Sequence, residues 1–251
     1  MARLELKAVD LDFPIAHTSP KSLRAALVGK ALRFGEVGGE TNGHAHISAL
    51  REVSLSLANG DRLAVLGANG AGKTTLLRLM AGIYPPTKGH VTIDGRVGTV
   101  FDIMLGMQAD LTGIENLLVR GMHLGLKPAE VHEAMEDIAE FTELGPYLHL
   151  PLRTYSSGMA LRLAFAIATA RAPDILILDE WVLAGDKRFA ERALARLDAV
   201  IKQAGILVLA SSVDWIVEHW CRSAILLDRG SIAMTGEVDR VLAERDRRAA
   251  G

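Results

Sequence analysis

The 251-residue chain holds a single cysteine, Cys221, so no internal disulfide can form and the usage fits a reducing compartment. Beside Trp220 in an apolar helical stretch, that thiol reads as core and not as a reactive group. Neither sign of charge dominates: 28 Lys and Arg face 30 Asp and Glu, for a formal net charge of -2, which excludes a nucleic-acid partner held by bulk electrostatics. No uninterrupted apolar run approaches the roughly 18 residues that span a bilayer. The opening MARLELKAVDL alternates like a strand where a signal peptide would carry an apolar block. There is no internal repeat and no low-complexity tail. What remains is a chain with 49% apolar residues, enough for one large α/β domain or two lobes sharing a core, and it is expected in the cytoplasm.

Read along its length, the chain changes character several times. LELKAVDLDF alternates as an edge or half-buried strand. From Pro14 to about Ser48 comes an insertion: Leu23, Leu27, Ala31 and Phe34 sit at helical spacing among Lys21, Arg24, Lys30 and Arg33, and then GEVGGETNGHAH reads as a glycine-rich loop. The basic amphipathic helix has a bland reading as a solvated surface helix and a sharper one as a contact with a membrane surface or subunit. His44 and His46 have no third ligand nearby and read as solvated polar residues. Strands follow at EVSLSL and RLAVL, then at GHVTIDG and RVGTVFD. Thr112 to Ala172 is dominated by helices, one of them opened by Pro128 and carrying Val131, Met135, Ile138 and Phe141 on one face. Strands then resume at DILILDE, GILVLAS, SAILLDRG and SIAMTG, with helices at about 187–203, around Trp215 and at the end.

Gly67 to Thr74 matches G-x-x-x-x-G-K-[ST] in the context that gives the motif meaning, after an apolar strand and opening a helix. Gly67, Ala68, Asn69, Gly70, Ala71, Gly72, Lys73, Thr74 and Thr75 therefore form the candidate phosphate site. Successive backbone N–H groups make a concave anion cradle that side chains would block. Lys73 is placed to reach the β- and γ-phosphates, and the Thr74 hydroxyl to ligate Mg²⁺. ILILDE is a buried parallel strand ending in two acids at the edge where open α/β sheets bind ligands. Asp179 is the candidate Mg²⁺ carboxylate, and Glu180 the general base that polarises the attacking water. Ser156, Ser157 and Gly158 open a long apolar helix, giving a second site suited to an anion.

The phosphate loop, YSSGM, ILILDE and the downstream AGD together resemble the ATP-binding subunits of ABC transporters. TGIENL, the run from Ile138 to Ala168 and DEWVLAGD look closest to the subunits that export O-antigen, capsular and related cell-surface polysaccharides. The likeness covers about Leu4 to Leu242. It implies a P-loop NTPase core of the RecA-like type, with an antiparallel β subdomain and an inserted helical subdomain at about 103–172. It also implies a homodimer with two ATPs at its interface, each held between the phosphate loop of one subunit and Ser156 to Gly158 of the other. A separate integral-membrane permease follows, with the chain peripheral at the cytoplasmic face of the cell membrane. The resemblance assigns Asp186 to communication between the two sites and Phe13 to stacking on adenine, and it places Arg162 after the signature as the family does. No room is expected after the final helix for a carbohydrate-binding domain.

Two positions depart from the family pattern. Where a glutamine usually couples the ATP site to the permease, TVFD places Asp102, a possible Mg²⁺ or water ligand, with Gln108 as the competing assignment. Where a histidine usually contacts the γ-phosphate, SSVD places Ser212, which can hydrogen-bond but cannot carry positive charge. His219 lies about two helical turns further on and does not replace it. Slower hydrolysis is expected, with Glu180 still required. The competing readings are a soluble ABC-type ATPase of translation or DNA repair, which would show paired nucleotide domains or basic patches, and a nucleotide-gated regulatory subunit.

Overall fold

The computed structural model describes residues 1–14, 37–41, 44–101, 103–179 and 187–249. These fall into two compact units. In chain order the strands and helices are β1 (Arg3–Pro14), β2 (Val37–Thr41), β3 (His44–Ala58), β4 (Arg62–Leu66), α1 (Lys73–Met80), β5 (Lys88–Asp94), β6 (Val97–Thr99), α2 (Gly113–His123), α3 (Pro128–Thr142), α4 (Ser157–Ala168), β7 (Ile175–Asp179), α5 (Lys187–Gln203), β8 (Ile206–Ala210), α6 (Asp214–Trp220), β9 (Ser223–Asp228), β10 (Ser231–Glu237) and α7 (Val238–Ala249). No described helix is long and apolar enough to cross a membrane.

The first unit comprises Met1–Gly95, Leu178–Glu180 and Gly205–Gly251. One of its sheets is wholly antiparallel, in the order β2-β3-β1-β5. β1 is thus an interior strand and not an edge. Its alternating Leu4, Leu6, Val9 and Leu11 bury one face. The glycine-rich segment expected as a loop is corrected as well: β2 and the start of β3 pair through Val37↔Ile47, Gly38↔His46 and Thr41↔His44. Pairing with a long neighbouring strand overrides the poor strand propensity of those glycines. The second layer runs β10-β9-β4-β8, with β4 parallel to both β8 and β9. RLAVL and ILVLA carry no polar alternation because a central parallel strand is buried on both faces, and Leu63 to Leu66 and Ile206 to Ala210 are all buried.

The second unit comprises Arg96–Ile177 and Trp181–Ala204. β6 and β7 pair in parallel, and the helices α2, α3, α4 and α5 make up the rest. Pro128 opens α3 at its first turn, where a missing N–H costs nothing, and Glu143 closes it in a left-handed conformation at φ 55°. The aromatic rings of Phe141, Phe165 and Phe189 cluster at 5.5–6.3 Å between centroids. Arg162 lies over Phe189 at 4.9 Å, and Arg196 over Phe141 at 4.6 Å. Arg196 also makes a fork of bonds to Asp137 at 3.0 and 2.6 Å, so this helical layer joins by planar cation stacking and bidentate pairing.

Candidate nucleotide site

The phosphate loop connects β4 to α1 inside the first unit, and its shape follows from its glycines. Gly67, Gly70 and Gly72 adopt φ of +150°, +82° and +105°, and an added Cβ on Gly67 would sit 2.4 Å from the Leu227 carbonyl oxygen. Only glycine fits there. Gly72 caps α1 with no side-chain acceptor, so the first-turn N–H groups stay available to an anion. Lys73 Nζ donates to the Gly67 and Ala68 carbonyls at 2.9 and 3.2 Å, bending its ammonium back over the loop. Thr74 is exposed and Thr75 half-buried.

The turn between β9 and β10 braces this loop, which the motif alone does not foretell. The Leu227 carbonyl presses on Gly67, Gly230 N–H donates to the Ala71 carbonyl at 2.9 Å, and Arg51 N–H donates to the Gly230 carbonyl at 2.9 Å. Asp179 ends β7, after the buried run Ile175 to Leu178, and belongs to the same unit as the loop. Its carboxylate and the Thr74 hydroxyl are hard oxygen donors of the kind Mg²⁺ selects. Glu180, Asp186 and Asp102 lie outside the described residues.

Phe13 is half-buried near the end of β1 and meets Tyr84 edge-on, with ring centroids 5.3 Å apart. Tyr84 lies 71 residues from Phe13 in the chain, and no local pattern pairs the two. At the end of β8, Ser211 is buried and accepts a hydrogen bond from Val213 N–H at 3.1 Å, whereas Ser212 is exposed. The first serine turns the chain; the second offers its hydroxyl. His219 is exposed on α6 beside Trp220, and Cys221 is buried, with burial pushing its thiol up to about 12.

The second unit carries the Ser-Ser-Gly step. Ser156 caps α4 by accepting from Met159 N–H at 3.2 Å, while Ser156 and Ser157 are exposed. Tyr155 O–H donates to the Tyr147 carbonyl at 2.6 Å and fixes the approach to that cap. Gln108 has an exposed side chain, but its backbone is held by Asn116, which is 1% exposed. Asn116 Oδ1 accepts from Gln108 N–H at 2.7 Å, and its Nδ2 lies within hydrogen-bond distance of the carbonyls of Gln108, Leu111 and Thr112. Thr112 then opens α2 with a capping box: its hydroxyl accepts from Glu115 N–H at 3.2 Å, and Glu115 accepts from Thr112 N–H at 2.7 Å.

A glycine cradle after a parallel strand, a lysine folded over it and a strand-end carboxylate define a P-loop nucleotide-binding protein. Residues 50–183 match the family described as ABC transporter. The O-antigen export system ATP-binding protein RfbE of Yersinia enterocolitica is 40% identical over 232 residues, 92% of this chain and 97% of that protein. RfbB of Myxococcus xanthus, with the same description, is 42% identical over 79% of this chain and 45% of its own length. The teichoic acids export ATP-binding protein TagH of Lactococcus lactis is 34% identical over 84% of this chain and 45% of its own length. The chain thus spans less than half of these last two relatives. The dimeric post-hydrolysis structure of the ATP-binding cassette MJ0796 bound to ADP and Pi superimposes with a TM-score of 0.67 at 20% identity, covering 94% of this chain and 98% of that one. The chain belongs to the ABC transporter family, in the group of ATP-binding subunits that includes the O-antigen export proteins.

Proposed function

We propose that the chain is the ATP-hydrolysing subunit of an exporter that moves a lipid-linked cell-surface polysaccharide, O-antigen, capsular or similar, through a separate permease. The observation that carries this reading is the phosphate loop: Gly67 is packed against the Leu227 carbonyl, Gly72 leaves the α1 N-terminus uncapped by any side chain, and Lys73 donates to the Gly67 and Ala68 carbonyls. In this reading the loop N–H groups and Lys73 bind and orient the β- and γ-phosphates, and Thr74 and Asp179 hold Mg²⁺, with Asp102 as a further ligand. Bound there, Mg²⁺ would neutralise charge on the phosphate oxygens. Glu180 takes the proton of the attacking water. Ser156, Ser157 and Gly158 of a second copy close over the nucleotide, and Asp186 links the two sites, so that ATP acts as part of a homodimer interface. Phe13 packs on the adenine. The helical lobe and the loop up to Gln108 dock the permease, which places the chain on the cytoplasmic face of the membrane.

The exposed Ser212 hydroxyl favours one modification, slow turnover, because it supports the γ-phosphate by hydrogen bonding and supplies no positive charge. Steady-state hydrolysis by the purified chain, with and without its permease in lipid, tests both statements. Expected are measurable turnover, loss of nearly all of it in Glu180→Gln, and a gain in Ser212→His. ATP binding with no hydrolysis under either condition would favour a nucleotide-gated regulatory subunit instead.

A further inference from the structure

Arg120 is a cation in the wrong place for a surface helix. It lies on α2, is 9% exposed, and its Nε is enclosed with no hydrogen-bond partner. Among the described residues no carboxylate pairs with it, and burial pushes its guanidinium below the ordinary arginine value. A buried charge left this way is costly unless something completes it. The cover over it is thin at one point. Gly106 is exposed, at φ +81°, and a Cβ added to it would lie 3.0 Å from Arg120 Nη1. The guanidinium end is therefore roofed there by a residue without a side chain.

Two exposed apolar side chains and one imidazole lie beside that gap. Met104 and Leu105, immediately before Gly106, are 42% and 65% exposed, and His123 Nδ1 lies 3.9 Å from a Cβ added to Gly106. The loop is not slack: Met107 N–H donates to the Met104 carbonyl at 3.1 Å, and Asn116, one turn before Arg120 on the same helix, clamps Gln108. A fixed apolar rim beside a buried guanidinium that lacks a counter-charge is complementary to one kind of surface, a short apolar segment bearing an acid.

We propose that Arg120 is the charge anchor for an Asp or Glu carboxylate in a cytoplasmic segment of the membrane subunit, with Met104 and Leu105 as the apolar rim of that seat. The proposal rests on the exporter reading and adds to it the residue and the charge that select the partner segment. The carboxylate completes the guanidinium as a charge-assisted pair, and the apolar rim excludes water from it. A lysine there would be rejected by like-charge repulsion.

The test is co-purification of the chain with its permease in lipid nanodiscs, together with the Arg120 Nε–H resonance in ¹⁵N-arginine-labelled protein. Arg120→Met is expected to lower recovery of the complex at least tenfold while ATP binding by the isolated chain stays within twofold. Arg120→Glu should abolish assembly, and one Asp or Glu to Arg change in a cytoplasmic segment of the permease should restore it. In the wild type the Nε–H resonance should shift on assembly. Wild-type recovery in Arg120→Met, failure of every charge reversal, or an unshifted resonance overturns the proposal. So does an Nε–H resonance that moves in the isolated chain on Asp102→Asn, since the counter-charge is then internal. If the wild type forms no complex with the permease, the exporter reading falls first and this inference with it.

Discussion

The two units each present a helix N-terminus suited to an anion, and they build it by different means. α1 begins at Gly72, with no side chain capping it, on a loop whose geometry is set by three glycines with positive φ. α4 begins at Ser156, whose hydroxyl already satisfies Met159 N–H, behind a tyrosine hydrogen-bonded to the Tyr147 carbonyl. The first is shaped by backbone alone and leaves its donors open. The second is positioned by side chains and keeps part of its first turn satisfied. One is therefore fragile to added atoms, and the other to removed ones.

Adding a methyl to the backbone-built site should have the largest effect. Gly67→Ala drives Cβ toward the Leu227 carbonyl and should weaken ATP binding at least about 100-fold by equilibrium titration, whereas Ser156→Ala leaves binding by the isolated chain within about twofold, since a lost neutral cap is worth only about 1 kcal/mol. Equal losses in the two variants would erase the contrast. The next effect falls on the second unit. Asn116→Ala strands the Gln108 N–H and removes the amide donor shared by three carbonyls, so it should destabilise by about 2–4 kcal/mol, read as a lowered denaturation midpoint. An unchanged midpoint would show that water replaces the amide and that side-chain positioning there is dispensable.

A pH effect comes from the first unit. Hydrogen bonds from Arg245 hold the Asp214 carboxyl below its usual range, so the pair contributes stability above the ordinary carboxylate pKa and loses it as pH falls through the lowered folded value. With Asp214 half exposed, the contribution is about 0.5–1 kcal/mol, and Arg245→Gln should flatten the acid limb of the stability curve by that much. The smallest effect concerns Cys221. Its thiol is buried and pushed up to about 12, so iodoacetamide at pH 8 should label it only as fast as the protein unfolds. Fast labelling in the folded state would mean that the α6–β9 junction opens locally.

The same contrast explains what could be read from the sequence. The phosphate loop was legible because its chemistry is backbone geometry, and glycine spacing reports that directly. RLAVL and ILVLA were legible as strands, and ILILD as a buried parallel one, because apolar runs of that length have few other uses. Asn116 and Arg120 were not, since an Asn and an Arg at helical spacing read as solvated residues until the loop that covers them is placed. Leu227, Gly230 and Tyr84 are distant in sequence from the residues they support, and no local pattern announces them. The strand at Val37–Thr41 was missed because pairing with β3, and not its own composition, makes it a strand. Ser211 and Ser212 look alike in sequence and part company only in burial.

Arg245 grips both oxygens of Asp214 at 2.7 and 2.9 Å, and Asp214 follows Ser212 by two residues. Mechanically, the last helix is tethered to the start of α6, just past the strand end that carries Ser211 and Ser212. α7 also buries Val238, Val241 and Leu242 against β4, β9 and β10, so the ion pair adds a polar tether to a helix that already rests on the sheet.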